Sequence, residues 1–196
     1  MWKVDFHSDI NELLLSCGMD HTVKLWDLQT GKSRFTYRGH VDSVNAVKFQ
    51  PYSCLFVTGS GDKTVSLWDI RTNLMVQTFY NHNNSVNSVA FNLRGDRIAS
   101  CDSDGMVRVW DVRMVKEELN FDTGLASANN AVFDKSGQYL FVASEDTSVK
   151  AFNLRTRERE SELKGHEDAV LDLCFDSGKE GLLITASSDC SFRIWQ

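Results

Sequence analysis

The chain has 196 residues, with 42% hydrophobic and 11% aromatic content, and its 21 Lys and Arg stand against 27 Asp and Glu for a formal charge of −6. That apolar content is ample for a globular core, and the acidic balance argues against a generic basic surface for nucleic acid. No apolar run reaches the roughly 18 residues a spanning helix needs, and MWKVDFHSDI lacks the basic start and apolar stretch of a signal peptide, so no membrane partner is expected.

In chain order, residues 1–6 alternate as an inner strand, 12–17 (ELLLSC) form the next and 22–27 (TVKLWD) the third. Gln29-Thr30-Gly31 then turns the chain into an outer strand near 33–37. The same four-strand unit returns at 43–79, where Pro51, the only proline, marks the first hairpin. It returns at 85–121, with turns at Arg94-Gly95-Asp96 and Asp104-Gly105, and at 128–163, turning at Lys135-Ser136-Gly137. A last unit, 169–196, stops one residue past Trp195.

The repeat keeps a ruler. Trp26, Trp68 and Trp110 are 42 residues apart, Phe152 holds the next slot, and Trp195 follows 43 later. A period of about 40 to 45 with Gly-His early and Trp-Asp late is the signature of a four-stranded β-propeller blade. The expected fold is therefore all-β, a propeller with about five four-stranded blades, nineteen strands in all, the last blade lacking its outer strand. Because the chain begins on an inner strand, it has none to donate to that edge. The expectation is the C-terminal part of a larger propeller, a seven-bladed ring.

Other residues keep step. Asp20, Asp62, Asp104, Asp146 and Asp189 lie six before the aromatic slot, and Ser16, Thr58, Ser100 and Thr185 lie ten before it. His40, His82 and His166 lie 28 or 29 before it, while Gly124 takes the histidine slot of the fourth unit. Carboxylate, imidazole, hydroxyl and indole can form one buried hydrogen-bond chain that staples a turn to the loop leading into its blade. The fourth unit, with Gly124, Val142 and Phe152, has lost three members together, and packing alone is expected to hold it.

Ser/Thr, His and Asp are also the residue types of a hydrolase triad, but an active site is needed once and this set recurs with its tryptophan. No Gly-x-Ser-x-Gly or His-Glu-x-x-His spacing occurs, and Gly59 to Thr64 joins two strands where a phosphate loop would open a helix. No catalytic residue, metal, cofactor or small-molecule substrate is expected. Cys17, Cys54, Cys101, Cys174 and Cys190 include no Cys-x-x-Cys pair and read as free thiols.

Surface residues are then the candidates for function. Arg71, Arg113 and Arg155 each follow the aromatic slot by three and should share one rim, where arginine either grips partner carboxylates or simply solubilises a position just outside a strand. The alternating charges of 155–162 suit an outer strand that discourages edge pairing. The loop TGLASANN (123–130) replaces the usual Gly-His lead-in and reads as a relaxed staple or a docking notch.

The recurring Gly-His and Trp-Asp resemble the WD-repeat family over the whole chain, which implies a non-catalytic platform for several protein partners. Four further features look like the C-terminal propeller of the sperm-associated antigen sixteen family. They are Asp42-Ser43-Val44-Asn45, Ile98 to Asp102, Phe133 to Gly137 in a weakened penultimate blade, and termination after the last tryptophan. That likeness implies a scaffold of the ciliary or flagellar central apparatus linking its two microtubules, with axonemal proteins as partners and microtubules held through intermediaries. This sequence departs from the family in lacking its N-terminal coiled-coil region and in having Asn81 for the glycine before His82. The paired Trp-Asp-x-Arg stretches at 68–71 and 110–113 also resemble the adaptor-binding boxes of cullin-type ubiquitin ligase receptors, so the alternatives are such a receptor or another cytoplasmic WD-repeat scaffold.

Overall fold

The computed structural model describes residues 1–10, 12–176 and 181–196; residues 177–180 fall within the expected fifth blade but outside that set. The described residues form nineteen strands in five antiparallel sheets, with no helix among them. Blade one is β1 (Lys3–Phe6), β2 (Leu13–Cys17), β3 (Thr22–Asp27) and β4 (Lys32–Arg38), and blade two is β5 (Val44–Phe49), β6 (Leu55–Ser60), β7 (Val65–Asp69) and β8 (Leu74–Phe79). Blade three is β9 (Val86–Phe91), β10 (Arg97–Asp102), β11 (Met106–Asp111) and β12 (Lys116–Asp122). Blade four is β13 (Ala128–Phe133), β14 (Tyr139–Ser144), β15 (Ser148–Asn153) and β16 (Glu158–Lys164), and blade five is β17 (Val170–Phe175), β18 (Leu183–Ser187) and β19 (Phe192–Trp195). Each sheet is an up-and-down meander in sequence order.

The burial of each strand follows its place in the stack. Strand β7 (VSLWD) is buried throughout because both of its faces are covered, whereas β16 (ERESELK) lies outermost and is mostly exposed. The inner strands β1, β5, β9, β13 and β17 are successive neighbours and together line a cavity of about 710 Å³. The apolar core is accordingly divided into layers between blades. One joins Leu15, Leu25 and Tyr37 of blade one to Phe56 and Trp68 of blade two, whose rings stack 6.1 Å apart. Similar layers follow at the next three junctions.

A meander places alternate connections at opposite ends of each blade. One end carries the turns between second and third strands together with the lead-in loops to the next blade; the other carries the first and third hairpins. The turns at the first end all hold a left-handed residue just after the repeat aspartate position: His21, Lys63, Gly105, Thr147 and Cys190. Gly105 is required there for a second reason. A Cβ at this position would lie 2.4 Å from the Gly124 carbonyl oxygen, inside the loop that leads into blade four.

The two end faces are apolar and open. Val4 and Phe6 occupy the register positions of Val47 and Phe49 in blade two. They are 43% and 61% exposed, where Val47 and Phe49, covered by blade one, are 1% and 6%. At the other end, Phe192 and Ile194 correspond to Val65 and Leu67, and they are 71% and 58% exposed where their counterparts are 0% and 3%.

Candidate functional site

Blade two contains a complete staple. The Trp68 indole N–H donates to Thr58 Oγ1 at 3.0 Å, Thr58 Oγ1 lies 2.7 Å from His40 Nε2, and His40 Nδ1 lies 2.8 Å from Asp62 Oδ2. The carboxylate can only accept, so Nδ1 carries the donated proton and Nε2 accepts from the hydroxyl. Blade five repeats the arrangement with Trp195, Thr185, His166 and Asp189 at 3.0, 2.8 and 2.8 Å. Blade one has the Trp26 to Ser16 bond, at 2.8 Å, while Asp20 accepts from the Thr22 hydroxyl.

In blade three the expected aspartate is displaced. Trp110 donates to Ser100, which meets His82 Nε2 at 2.6 Å, but His82 Nδ1 faces Asp102 at 2.7 Å, and the expected Asp104 instead accepts from the Asn84 amide. The reason is legible two residues beyond the carboxylate. Asp20, Asp62, Asp146 and Asp189 are each followed by a hydroxyl, Thr22, Thr64, Ser148 and Ser191, that donates to them. Asp104 is followed there by Met106, so it lacks that support. Asp102, two residues earlier at the end of β10, accepts the backbone N–H groups of Asp104 and Met106. His82 and Asp102 side chains are both fully buried, the most enclosed of the three His–Asp pairs.

Blade four is held differently from the expectation of packing alone. Phe152 in the tryptophan slot does pack on Phe121, with centroids 4.7 Å apart. Yet Lys150, buried on β15, donates from its ammonium to Asp146 and to the Thr123 carbonyl of the lead-in loop. A cation thus reaches from the third strand back to the loop, where other blades send an imidazole from the loop to the turn. Sequence reading missed it because slot 150 holds Lys24, Ser66, Arg108 and Arg193 in the other blades, and no period marks it.

Burial alone would raise the Asp62, Asp102 and Asp146 carboxyls; the hydrogen bonds they accept override it. His40 and Thr64 hold Asp62 well below the usual carboxylate range, and His82 with the Met106 N–H lowers Asp102. Lys150 and Ser148 bring Asp146 down to about 2. Asp189 is lowered chiefly by the Ser191 hydroxyl, against some desolvation, with His166 adding to it.

A second connection, between blades, was also missed. The Asn45 amide donates to the Val86 carbonyl and the Ser85 hydroxyl, both at 3.0 Å, and Asn87 does the same to Ala128 and Ser127 at 3.0 Å. Asn129 donates to the Val170 carbonyl at 2.9 Å. These asparagines are 42 residues apart, so the signal was present in the ruler.

Chemically, the staple hydroxyls have no room to react. Thr58, Ser100 and Thr185 are fully buried, and each already accepts an indole N–H. Among the described residues no cluster of His, Cys, Asp and Glu is arranged to hold a metal ion. The arginine row lies at the opposite end of the blades, in the third hairpins. Arg71 pairs with Asp69 at 3.4 Å, while the exposed Arg113 and Arg155 side chains have no ion-pair partner among the described residues. The aspartate of each Trp-Asp shapes that hairpin: Asp69 and Asp111 accept the Arg71 and Arg113 backbone N–H at 2.8 Å, as Asn153 does for Arg155 at 2.9 Å.

Repeated four-stranded blades, joined by Trp, Ser/Thr, His and Asp staples, define a WD-repeat β-propeller, a class whose members serve as protein-interaction scaffolds. The family model of the IFT122 first beta-propeller matches residues 1–196, and the chain belongs to that family. Among curated proteins it is similar to human WD repeat-containing protein 37, 41% identical over 61 residues, which is 31% of this chain and 12% of that protein. It is also similar to the maize guanine nucleotide-binding protein subunit beta, 41% identical over 59 residues, covering 30% of this chain and 16% of that one. A shorter match, 61% identical over 31 residues, is to an F-box protein of the yeast Saccharomyces cerevisiae, covering 16% and 5%. The matched stretches thus span only 5% to 16% of these relatives' lengths.

Proposed function

We propose that this chain is a non-catalytic scaffold and, within that class, a structural component of the ciliary or flagellar central apparatus that helps bridge its two microtubules. The observation that carries the scaffold reading is the enclosure of the repeated polar side chains. Their bonding capacity is used inside the blades, which leaves partners the end loops, the arginine row and the outer strands. The ciliary placement rests on the likeness of residues 42–45, 98–102 and 133–137 to the sperm-associated antigen sixteen family. With a charge of −6 the propeller is ill suited to hold an acidic microtubule surface directly, so axonemal proteins are the intermediaries. The two apolar end faces support the reading that these five blades belong to a larger ring. Extraction of axonemes with detergent tests the placement: the protein should sediment with them, and complete release into the soluble fraction would refute it.

The match to the yeast F-box protein favours a second reading, a substrate receptor of a cullin-type ubiquitin ligase. Its contacts would be Arg71 and Arg113. Capture of the ligase adaptor that is lost on Arg71→Ala/Arg113→Ala would establish it in place of the first.

A further inference from the structure

A groove of about 530 Å³ opens between the first hairpins of blades three and four, at the arginine-bearing end, and its lining includes Arg94, Arg97, Lys135, Ser136 and Gln138. One carboxylate, Asp96, also lines it and accepts from Asn92 at 2.6 Å. Arg97 is held by Glu118 at 2.6 Å, but the exposed Arg94 guanidinium has no partner among the described residues. The turns carrying these side chains are fixed by Gly95 and Gly137, both at φ 71°.

The groove is continuous with the arginine row. Val112 N–H donates to the Asp96 carbonyl at 3.0 Å, which sets Arg113 beside one wall, and Leu154 N–H donates to the Gln138 carbonyl at 2.9 Å, which sets Arg155 beside the other. The opposite end of the same blades carries Asp104, Glu145 and Asp146 in its turns, with Asp122 and Lys164 at the ends of its outer strands. In a chain of net charge −6, Arg94, Arg113 and Arg155 thus stand together at one end of blades three and four.

We propose that this groove binds an extended acidic segment of a protein partner, with a side-chain carboxylate seated against Arg94 and neighbouring carboxylates reaching Arg113 or Arg155. Arginine's planar fork is suited to a carboxylate, and the lining is polar apart from Leu93 and Gly137. Nucleic acid fits less well, because none of the groove's lining residues is an aromatic on which a base could stack. The proposal deepens the scaffold reading by giving one partner a chemistry. It is independent of the ciliary placement, since its test uses no axoneme.

The test is fluorescence anisotropy of a fluorescein-labelled octaglutamate peptide titrated with the 196-residue protein at low and moderate salt. Binding should be salt-sensitive and should weaken by roughly tenfold in Arg94→Ala/Arg155→Ala, an effect of the size expected for lost charge-assisted contacts. Arg38→Ala, an exposed cation at the far end of the blades, should bind like the unaltered protein. Circular dichroism melts check that the variants are folded, and Arg94→Glu provides a single substitution with the same expected direction. Absence of octaglutamate binding, or binding unchanged in the double variant, would overturn the proposal. So would a decathymidylate oligonucleotide that binds more tightly through the same residues.

Discussion

Lys150 donates to both the Asp146 carboxylate and the Thr123 carbonyl, so a buried cation on the third strand ties the turn of blade four to its lead-in loop. Replacing it with methionine keeps the stem's packing and removes both bonds. The Thr123 carbonyl is then left without its donor, while Asp146, about a third exposed, regains water. Lys150→Met should lower stability by about 1 to 3 kcal/mol in urea unfolding. Adding Asp146→Asn should cost little more.

The same aspartate predicts an acid limit. Its pKa in the folded chain is about 2, below the ordinary 3.8, so it contributes stability that is complete above about pH 4 and disappears as the pH falls toward 2. Asp62, Asp102 and Asp189 are depressed in the same direction and act in the same sense. Unfolding free energy measured from about pH 6 downward should therefore begin to fall near pH 4. In Asp146→Asn that fall should be shallower between about pH 4 and 2.

Asn87 connects blade three to blade four through the Ala128 carbonyl and the Ser127 hydroxyl and accepts from Ser103 at 3.1 Å. Asn87→Ala leaves these groups unmatched at a blade junction. A loss of about 1 to 3 kcal/mol is expected in thermal or urea unfolding. Asn83→Ala, in the preceding lead-in loop, serves as a nearby exposed comparison and should change stability by less than about 0.5 kcal/mol.

The cysteines should divide by burial. All five are free; Cys174 and Cys190 are exposed, whereas burial pushes the Cys17 thiol up to about 11 and the Cys101 thiol up to about 12. With a disulfide-exchange reagent at about pH 8, Cys174 and Cys190 should react quickly, and Cys17 and Cys101 only on unfolding.

How much of this was legible in the sequence depended on whether a residue acts through the repeat. Trp68, Thr58, His40 and Asp62 sit on a period, and so did the nineteen strands, because each blade solves the same packing problem with the same residues. Asn45, Asn87 and Asn129 were equally periodic but were passed over, since an asparagine inside a strand carries no chemistry on its own. Asp104 misled because spacing was weighed without the supporting hydroxyl that Met106 lacks. Lys150 was hidden because its role exists only where Gly124 has removed the imidazole, and a single replacement leaves no pattern. The groove at Arg94 depends on two hairpins meeting across a blade junction, which spacing along one chain does not reveal.

The central claim, that the repeated polar residues are internal fasteners, is tested most directly by a double-mutant cycle on His82 and Asp102 read by urea unfolding. Each of His82→Ala and Asp102→Asn should destabilise the chain, the double variant should cost less than their sum by about 1 to 3 kcal/mol, and Asp104→Asn should change little. Additive losses at 82 and 102, or a larger loss at 104 than at 102, would contradict it.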